Sequence, residues 1–169
     1  MDYLLVDGYN MIGAWPVFHA LREKDFSHAR TKLVDMLADY QAYSGYKVIV
    51  VFDAHMVKGT ETKEKTYRVD VIYTKENETA DEKIERLAGE LKNIKNKVYV
   101  ATSDFTEQWT IFSQGALRIS ARELYQEIIH IQKKISTTIK EVENKKMGAK
   151  IPLSSEVAEI FEKWRRGGR

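Results

Sequence analysis

The chain has 169 residues, of which 43% are hydrophobic and 31% charged, enough for one domain with a sizeable core. It has no cysteine, which excludes disulfide frameworks, thiolate metal sites and cysteine nucleophiles. The formal net charge is only +2, and this total neither indicates nor excludes a nucleic-acid partner. No apolar run reaches the roughly 18 residues of a membrane span, and the N-terminal run is too short for a signal peptide. These features predict a soluble, cytoplasmic protein with no membrane partner.

Short apolar runs predict four strands, and three of these strands lead into an aspartate. The predicted strands span residues 3–7, 47–53, 67–74 and 97–102. Three of the runs are almost continuously apolar, which is typical of parallel strands that are covered on both faces. Asp7 and Asp53 end the first two strands, and Asp104 follows the last one.

Helical periodicity and capping residues predict the structure of the intervening segments. The predicted helices span residues 27–43, 80–93, about 107–112, 120–141 and 154–166, with a polar loop at 56–66 and a basic linker at 144–152. Ser27 is the predicted N-cap of the first helix. The pairs Thr79 with Glu82 and Ser120 with Glu123 have the spacing of a capping box. The alternation of strands and helices indicates an α/β sandwich with a mostly parallel sheet.

The aspartates at the strand ends are the candidate catalytic residues. In a parallel sheet, Asp7, Asp53 and Asp104 meet at one edge, and Asp81, in the first turn of a helix, joins them there. Clustered carboxylates repel one another until a divalent cation is bound, and hard oxygen ligands favour Mg²⁺ or Mn²⁺. Such an ion activates water and stabilises the charge that develops on a phosphodiester. Asn10 would orient that water or hold a phosphate.

A purely structural explanation stays open for two of these aspartates. Asp81 and Asp104 lie where helices are predicted to begin, and aspartate is common there because it complements the exposed N–H groups. Asp7 and Asp53 are harder to explain in this way, because Gly, Asn or Ser would end a strand equally well. The four together favour a functional site.

Four motifs resemble those of NYN domains, a branch of the PIN-like nuclease superfamily. They are Leu-Leu-Val-Asp-Gly-Tyr-Asn at 4–10, Val-Phe-Asp at 51–53, Glu-Thr-Ala-Asp at 78–81 and Ala-Thr-Ser-Asp at 101–104. More closely, the chain resembles the bacterial YacP-like proteins over essentially its whole length. That resemblance includes Thr-Lys-Glu-Asn-Glu-Thr-Ala-Asp at 74–81 and Phe-Glu-Lys-Trp-Arg-Arg at 161–166.

The resemblance implies a PIN-like (NYN) three-layer α/β sandwich with a mostly parallel central sheet and additional C-terminal helices. It implies a single domain over 1–169, with a core of about 1–130 and a basic helical extension of about 131–169. The implied activity is Mg²⁺- or Mn²⁺-dependent cleavage of single-stranded mRNA in association with translating ribosomes. The implied metal ligands are Asp7, Asp53, Asp81 and Asp104, with Asn10 beside them. Asp7 and Asp81 are the two that we most expect to be essential.

Basic residues supply the candidate RNA contacts. Residues 132–150 hold six lysines and only two glutamates, and the last nine residues are also basic. The individual candidates are Arg118, Arg122, Lys163, Arg165 and Arg166. The first two are four residues apart and would share one helix face, where they would contact phosphates. A solvated helix face explains such charges equally well.

Four more residues near the predicted site have two explanations each. His55 would contact a phosphate or donate a proton, although a loop histidine without a role is the simpler explanation. Glu85 shares a helix face with Asp81 and would be an outer acid or a solvated side chain. Tyr9 and Trp15, in the predicted loop after the first strand, would stack on a base or pack in the core.

Two other functions stay open. An aspartate-based phosphatase or phosphotransfer domain would use one aspartate as nucleophile, but no Asp-x-Asp motif ends the first strand. A non-catalytic RNA- or ribosome-binding module gains nothing from four acids at a place that phosphate must approach. The sequence does not specify the oligomeric state, the cleavage motif or whether one or two metals bind.

Overall fold

A five-stranded parallel sheet is the centre of the computed structural model, which describes residues 1–20, 26–54, 69–103 and 115–148 together with Lys163 and Arg165. The strands are β1 (Tyr3–Asp7), β2 (Lys47–Phe52), β3 (Asp70–Tyr73), β4 (Val98–Ala101) and β5 (Leu117–Ile119). Their order across the sheet is β3-β2-β1-β4-β5, and every neighbouring pair is parallel. All five carboxyl ends therefore meet at one edge, called here the carboxyl edge. The strand order reverses between β1 and β4, which is where ligands bind in sheets of this kind.

Helices cover the sheet, and in the described residues they connect β1 to β2 and β3 to β4. They are α1 (Gly8–Ala14), α2 (Phe26–Ser44), α3 (Ala80–Leu91) and α4 (Ala121–Gly148), with a 3₁₀ turn at Pro16–Phe18. On one face of the sheet, alternate strand residues such as Leu5 and Val51 pack against Ile84 and Ala88 of α3. The fold is thus the predicted α/β sandwich with a parallel sheet.

The strand predictions were correct where a continuous apolar run exists and failed where it does not. The first strand matches its predicted bounds, and β2 and β4 are shorter than predicted by one and two residues. Within the described part of the predicted strand at 67–74, β3 spans Asp70–Tyr73. Strand β5 was not predicted at all. It has three residues at the edge of the sheet, none of them fully buried, so it carries no apolar pattern.

The helix predictions were correct at two starts and wrong at two other places. Thr79 and Ser120 are confirmed as N-caps, since their hydroxyl oxygens accept the N–H groups of Glu82 and Glu123 at 3.2 and 3.1 Å. The predicted N-cap Ser27 instead lies inside α2, which begins at Phe26. Helix α4 continues to Gly148, so the first part of the predicted linker at 144–152 is helical. Its lysines and glutamates are good helix formers, which explains the extension.

Helix α1 replaces the loop that the sequence predicted after β1. The segment Gly-Tyr-Asn-Met-Ile-Gly-Ala has two glycines and few strong helix formers, so its propensity is low. Burial decides the outcome, because Met11 and Ile12 are completely buried. Trp15, at the C-cap of α1, is also buried, and its indole N–H donates to the Ala121 carbonyl at 2.8 Å. Of its two predicted roles, Trp15 therefore has the packing one.

The chain divides into two compact units, Met1–Ile129 and His130–Arg169. In the second unit, α4 from residue 130 onward is largely exposed, including Lys133, Lys134, Lys140, Lys145 and Lys146. Lys163 and Arg165 are helical and exposed as well. In the ranges that the structure describes, no helix is long and apolar enough to cross a membrane.

We predict an alkaline loss of stability that depends on Tyr40. This side chain is 3% exposed, and its hydroxyl donates to the Glu127 carboxylate at 2.7 Å. Burial, and then the hydrogen bond to Glu127 and the charge of Glu127, raise the pKa of Tyr40 far above its ordinary value of 10.0. Above about pH 10 the unfolded chain loses this proton while the folded chain keeps it, so the free energy of unfolding falls with pH. Urea titrations should show a shallower fall for Tyr40→Phe, by up to about 1.4 kcal/mol per pH unit. The exposed Tyr43→Phe should match wild type, and equal slopes for all three proteins would contradict the prediction.

Candidate active site at the carboxyl edge

Asp7 is a buried carboxylate at the end of the central strand. It is the last residue of β1 and only 8% exposed. One carboxylate oxygen accepts the N–H of Asn10 at 3.3 Å, so Asp7 is the N-cap of α1. Helix capping was the structural explanation predicted for Asp81 and Asp104, not for Asp7. A buried carboxylate is costly unless hydrogen bonds or a cation compensate it, so Asp7 has a structural role and also a position suited to a cation.

Asp53 and Asp81 lie at the same edge on other elements. Asp53 directly follows β2 and is partly buried. Asp81 is the second residue of α3, and the preceding Ala80 packs in the core with Val51, so α3 begins near the carboxyl edge. Thr79 is the N-cap of this helix, so Asp81 does not cap it. Its charge in the first turn still complements the helix dipole. This interaction is therefore the structural explanation that stays open for Asp81, and capping is not.

The donor set at this edge suits a magnesium-like ion. Asp104, the fourth predicted ligand, lies outside the described residues. Within the described part of the chain, no three His, Cys, Asp or Glu side chains are close enough together to hold a metal. Mg²⁺ rarely needs such a set, because it keeps several waters and is bound by one or two carboxylates together with substrate phosphates. One or two of these carboxylates would therefore be enough for an ion whose coordination is completed by water and substrate.

Asn10 joins the two sides of the point where the strand order reverses. Its side-chain oxygen accepts the backbone N–H of Ser103 at 2.8 Å and the Ser103 hydroxyl at 2.7 Å. Asn10 lies in α1, after β1, and Ser103 lies two residues past β4. The sequence assigned Asn10 to a water or a phosphate, and nothing in the pattern indicated a partner 93 residues away. The contact holds the segment that leads to Asp104 beside the end of β1.

An aromatic cluster supports the ends of β1 and β2. The Tyr9 ring lies edge-on to Phe52 and Phe26, with centroids 5.2 and 5.8 Å apart. Arg30 of α2, 7% exposed, donates to the Tyr9 hydroxyl at 3.1 Å. Burial raises the pKa of Tyr9, and the Arg30 charge opposes that rise, while the charges of Tyr73 and Asp53 add to it. The sequence named Tyr9 as a stacking or packing residue and did not single out Arg30.

Two buried threonines fix the backbone beneath the site. The Thr74 hydroxyl oxygen accepts the N–H of Ala54 at 2.9 Å, which holds the turn directly after Asp53. Thr102 is completely buried, and its N–H donates to the Ile119 carbonyl at 3.3 Å. Both contacts join a strand end to its neighbour, so they stiffen the backbone that carries the acidic and polar side chains.

The remaining candidates are scattered. Arg118 and Arg122 are both exposed, but Arg118 lies in β5, so the shared helix face predicted for this pair is wrong. Glu85 is partly buried and borders an open depression on α3 with Glu82 and Arg86. His55, the 56–66 loop and Arg166 lie outside the described residues, as does most of the predicted last helix.

Comparisons with known proteins give a family and solved structures. The family model of the YacP-like NYN domain matches residues 4–166. The chain is 58% identical over 167 residues to the uncharacterized protein YacP of Bacillus subtilis (strain 168), covering 99% of this chain and 98% of that protein. The crystal structure of Rae1 (YacP) from Bacillus subtilis has a TM-score of 0.79 and 57% identity, covering 99% of this chain and 96% of that one. The crystal structure of its W164L mutant has a TM-score of 0.75 and 54% identity, with the same coverage.

Proposed function

The chain belongs to the YacP-like NYN domain family, a branch of the PIN-like nuclease superfamily, and from this premise we propose that it is a metal-dependent endoribonuclease acting on single-stranded mRNA. The observation that carries the proposal is the buried carboxylate of Asp7 at the carboxyl edge, beside the reversal of strand order. A carboxylate at the strand-order reversal lies where sheets of this kind bind their ligands, and a bound cation would add to the hydrogen bond that already compensates its burial.

The cation, Mg²⁺ or Mn²⁺, is held by Asp7 and Asp81, with Asp53 and Asp104 completing the acidic set. When bound, it supplies an activated water and neutralises the charge on the phosphodiester. Asp7 orients its carboxylate through the Asn10 N–H, and Asn10 holds the Ser103 segment against β1. The protein's part in the reaction is thus to fix oxygen ligands at the strand ends.

Basic residues hold the substrate backbone in this proposal. The second unit supplies exposed lysines along α4 after residue 130, and Lys163 and Arg165 are exposed as well. Arg118, Arg122 and Arg166 add further positive charge. Phosphate contacts release counterions, so RNA affinity falls steeply as the salt concentration rises. Action at translating ribosomes is part of the proposal through the family resemblance alone.

The function is tested by cleavage of one mRNA in two states, free and being translated in a reconstituted system with Mg²⁺. We expect endonucleolytic cuts in the translated mRNA, fewer cuts in the free mRNA, and none when EDTA removes the metal. Equal cleavage of free and translated mRNA would support the nuclease activity but contradict a requirement for the ribosome. Binding to RNA or ribosomes without any cleavage, in Mg²⁺ or Mn²⁺, would overturn the nuclease and favour a non-catalytic binding module.

A further inference from the structure

A buried arginine lies close to the acidic edge. Arg30 is in the second turn of α2 and only 7% exposed. Burying a guanidinium costs several kcal/mol unless hydrogen bonds and opposite charges compensate it, so the partners of Arg30 matter. One guanidinium nitrogen donates to the Tyr9 hydroxyl at 3.1 Å. Tyr9 is the second residue after Asp7, so this bond ties α2 to the segment that carries the acid.

The same tyrosine also fixes the neighbouring strand end. Its ring packs edge-on against Phe52, the last residue of β2, and Asp53 follows directly. Gly8 lies so close to the Phe52 ring that an added Cβ would overlap it. Segments 7–9 and 52–53 therefore pack tightly against each other through Gly8, Tyr9 and Phe52. The hydrogen bond from Arg30 holds Tyr9 in this packing.

We propose that Arg30 and Tyr9 are positioning residues of the metal site, in which Arg30 anchors Tyr9 and Tyr9 sets the spacing of Asp7 and Asp53. The inference rests on the proposed function, because it assigns these two residues to the same metal site. Neither residue touches the cation or the RNA.

The test measures Mn²⁺ affinity by electron paramagnetic resonance on the full chain, so that it does not depend on cleavage. Tyr9→Phe keeps the ring and removes only the hydroxyl. We expect it to weaken Mn²⁺ binding about 10-fold, the usual effect of removing an outer hydrogen bond at a metal site. Arg30→Met should weaken it at least as much. The double variant should be no worse than Arg30→Met, because residues that act through one contact are not additive.

The matched control is Tyr40→Phe, which also removes a tyrosine hydroxyl that donates or accepts in a partly buried hydrogen bond, here to Glu127 rather than near the site. It should bind Mn²⁺ like wild type, while its stability falls about as much as that of Tyr9→Phe. The single-turnover cleavage rate of Tyr9→Phe at saturating RNA should fall while its RNA affinity stays unchanged.

Asp7→Asn distinguishes failure of the positioning role from failure of the metal site itself. Weaker Mn²⁺ binding by Asp7→Asn with unchanged binding by Tyr9→Phe would overturn the positioning role and retain the metal site. Unchanged Mn²⁺ binding by Asp7→Asn would overturn both, because the site itself would be elsewhere. Equal weakening by Tyr9→Phe and Tyr40→Phe would reduce the effect to general destabilisation and would also overturn the inference.

Discussion

Asp7→Asn is expected to abolish RNA cleavage while the protein stays folded. The change removes one negative charge from the proposed metal site, and a metal at a reacting phosphodiester contributes several kcal/mol to transition-state stabilisation. The expected loss of cleavage rate is therefore at least about 1000-fold. Asparagine is as good an N-cap as aspartate, so α1 keeps its capping hydrogen bond. Single-turnover cleavage in Mg²⁺ measures the effect, and urea denaturation checks the fold.

The control for Asp7→Asn is Asp39→Asn, an equal change of charge on the exposed face of α2. It should cleave at the wild-type rate. Cleavage by Asp7→Asn within a few-fold of that rate would show that Asp7 only caps α1. The proposed site would then be wrong.

Gly8→Ala is expected to cause the largest loss of stability for the smallest change in sequence. An added Cβ would overlap the ring of Phe52, which is completely buried and cannot move outward without opening the core. Overpacking of this kind costs about 1–3 kcal/mol, and we expect the upper part of that range. Cleavage should also fall, because the ends of β1 and β2 must move apart. Urea denaturation gives the change in the free energy of unfolding.

The control for Gly8→Ala has the opposite expected sign. Gly89 is exposed within α3, and alanine in a helix interior is more stable than glycine by roughly 0.5–1 kcal/mol. Gly89→Ala should therefore stabilise the protein slightly. If Gly8→Ala had the same free energy of unfolding as wild type, the predicted clash with Phe52 would be wrong.

The carboxyl edge could be predicted from the sequence because its features are local. Apolar runs that end at Asp7 and Asp53 define both the strands and the residues beyond them, and parallel strands bring such residues to one edge. The capping box at Thr79 likewise fixes where α3 begins, and so fixes the position of Asp81. A few consecutive residues carry each of these features.

The contacts that organise the site could not be predicted because they join distant segments. The Asn10–Ser103 pair and the bond from Arg30 to Tyr9 depend on which surfaces meet after the sheet has formed. Arg30 stands in a helix with no pattern that distinguishes a buried arginine from a solvated one. Helix α1 was not predicted because its residues are poor helix formers. It forms because Met11 and Ile12 are buried by the rest of the fold, which local sequence does not show.

The most direct test of a metal site at the carboxyl edge is cleavage of the polypeptide by bound Fe²⁺. With ascorbate and peroxide, iron in a magnesium site generates radicals that cut the nearby backbone. We predict cuts near Asp7, Asp53 and Asp81 that an excess of Mg²⁺ suppresses and that Asp7→Asn lacks. Cuts confined to other segments, or cuts near these aspartates that persist in Mg²⁺ and in Asp7→Asn, would contradict a metal site formed by the strand-end aspartates.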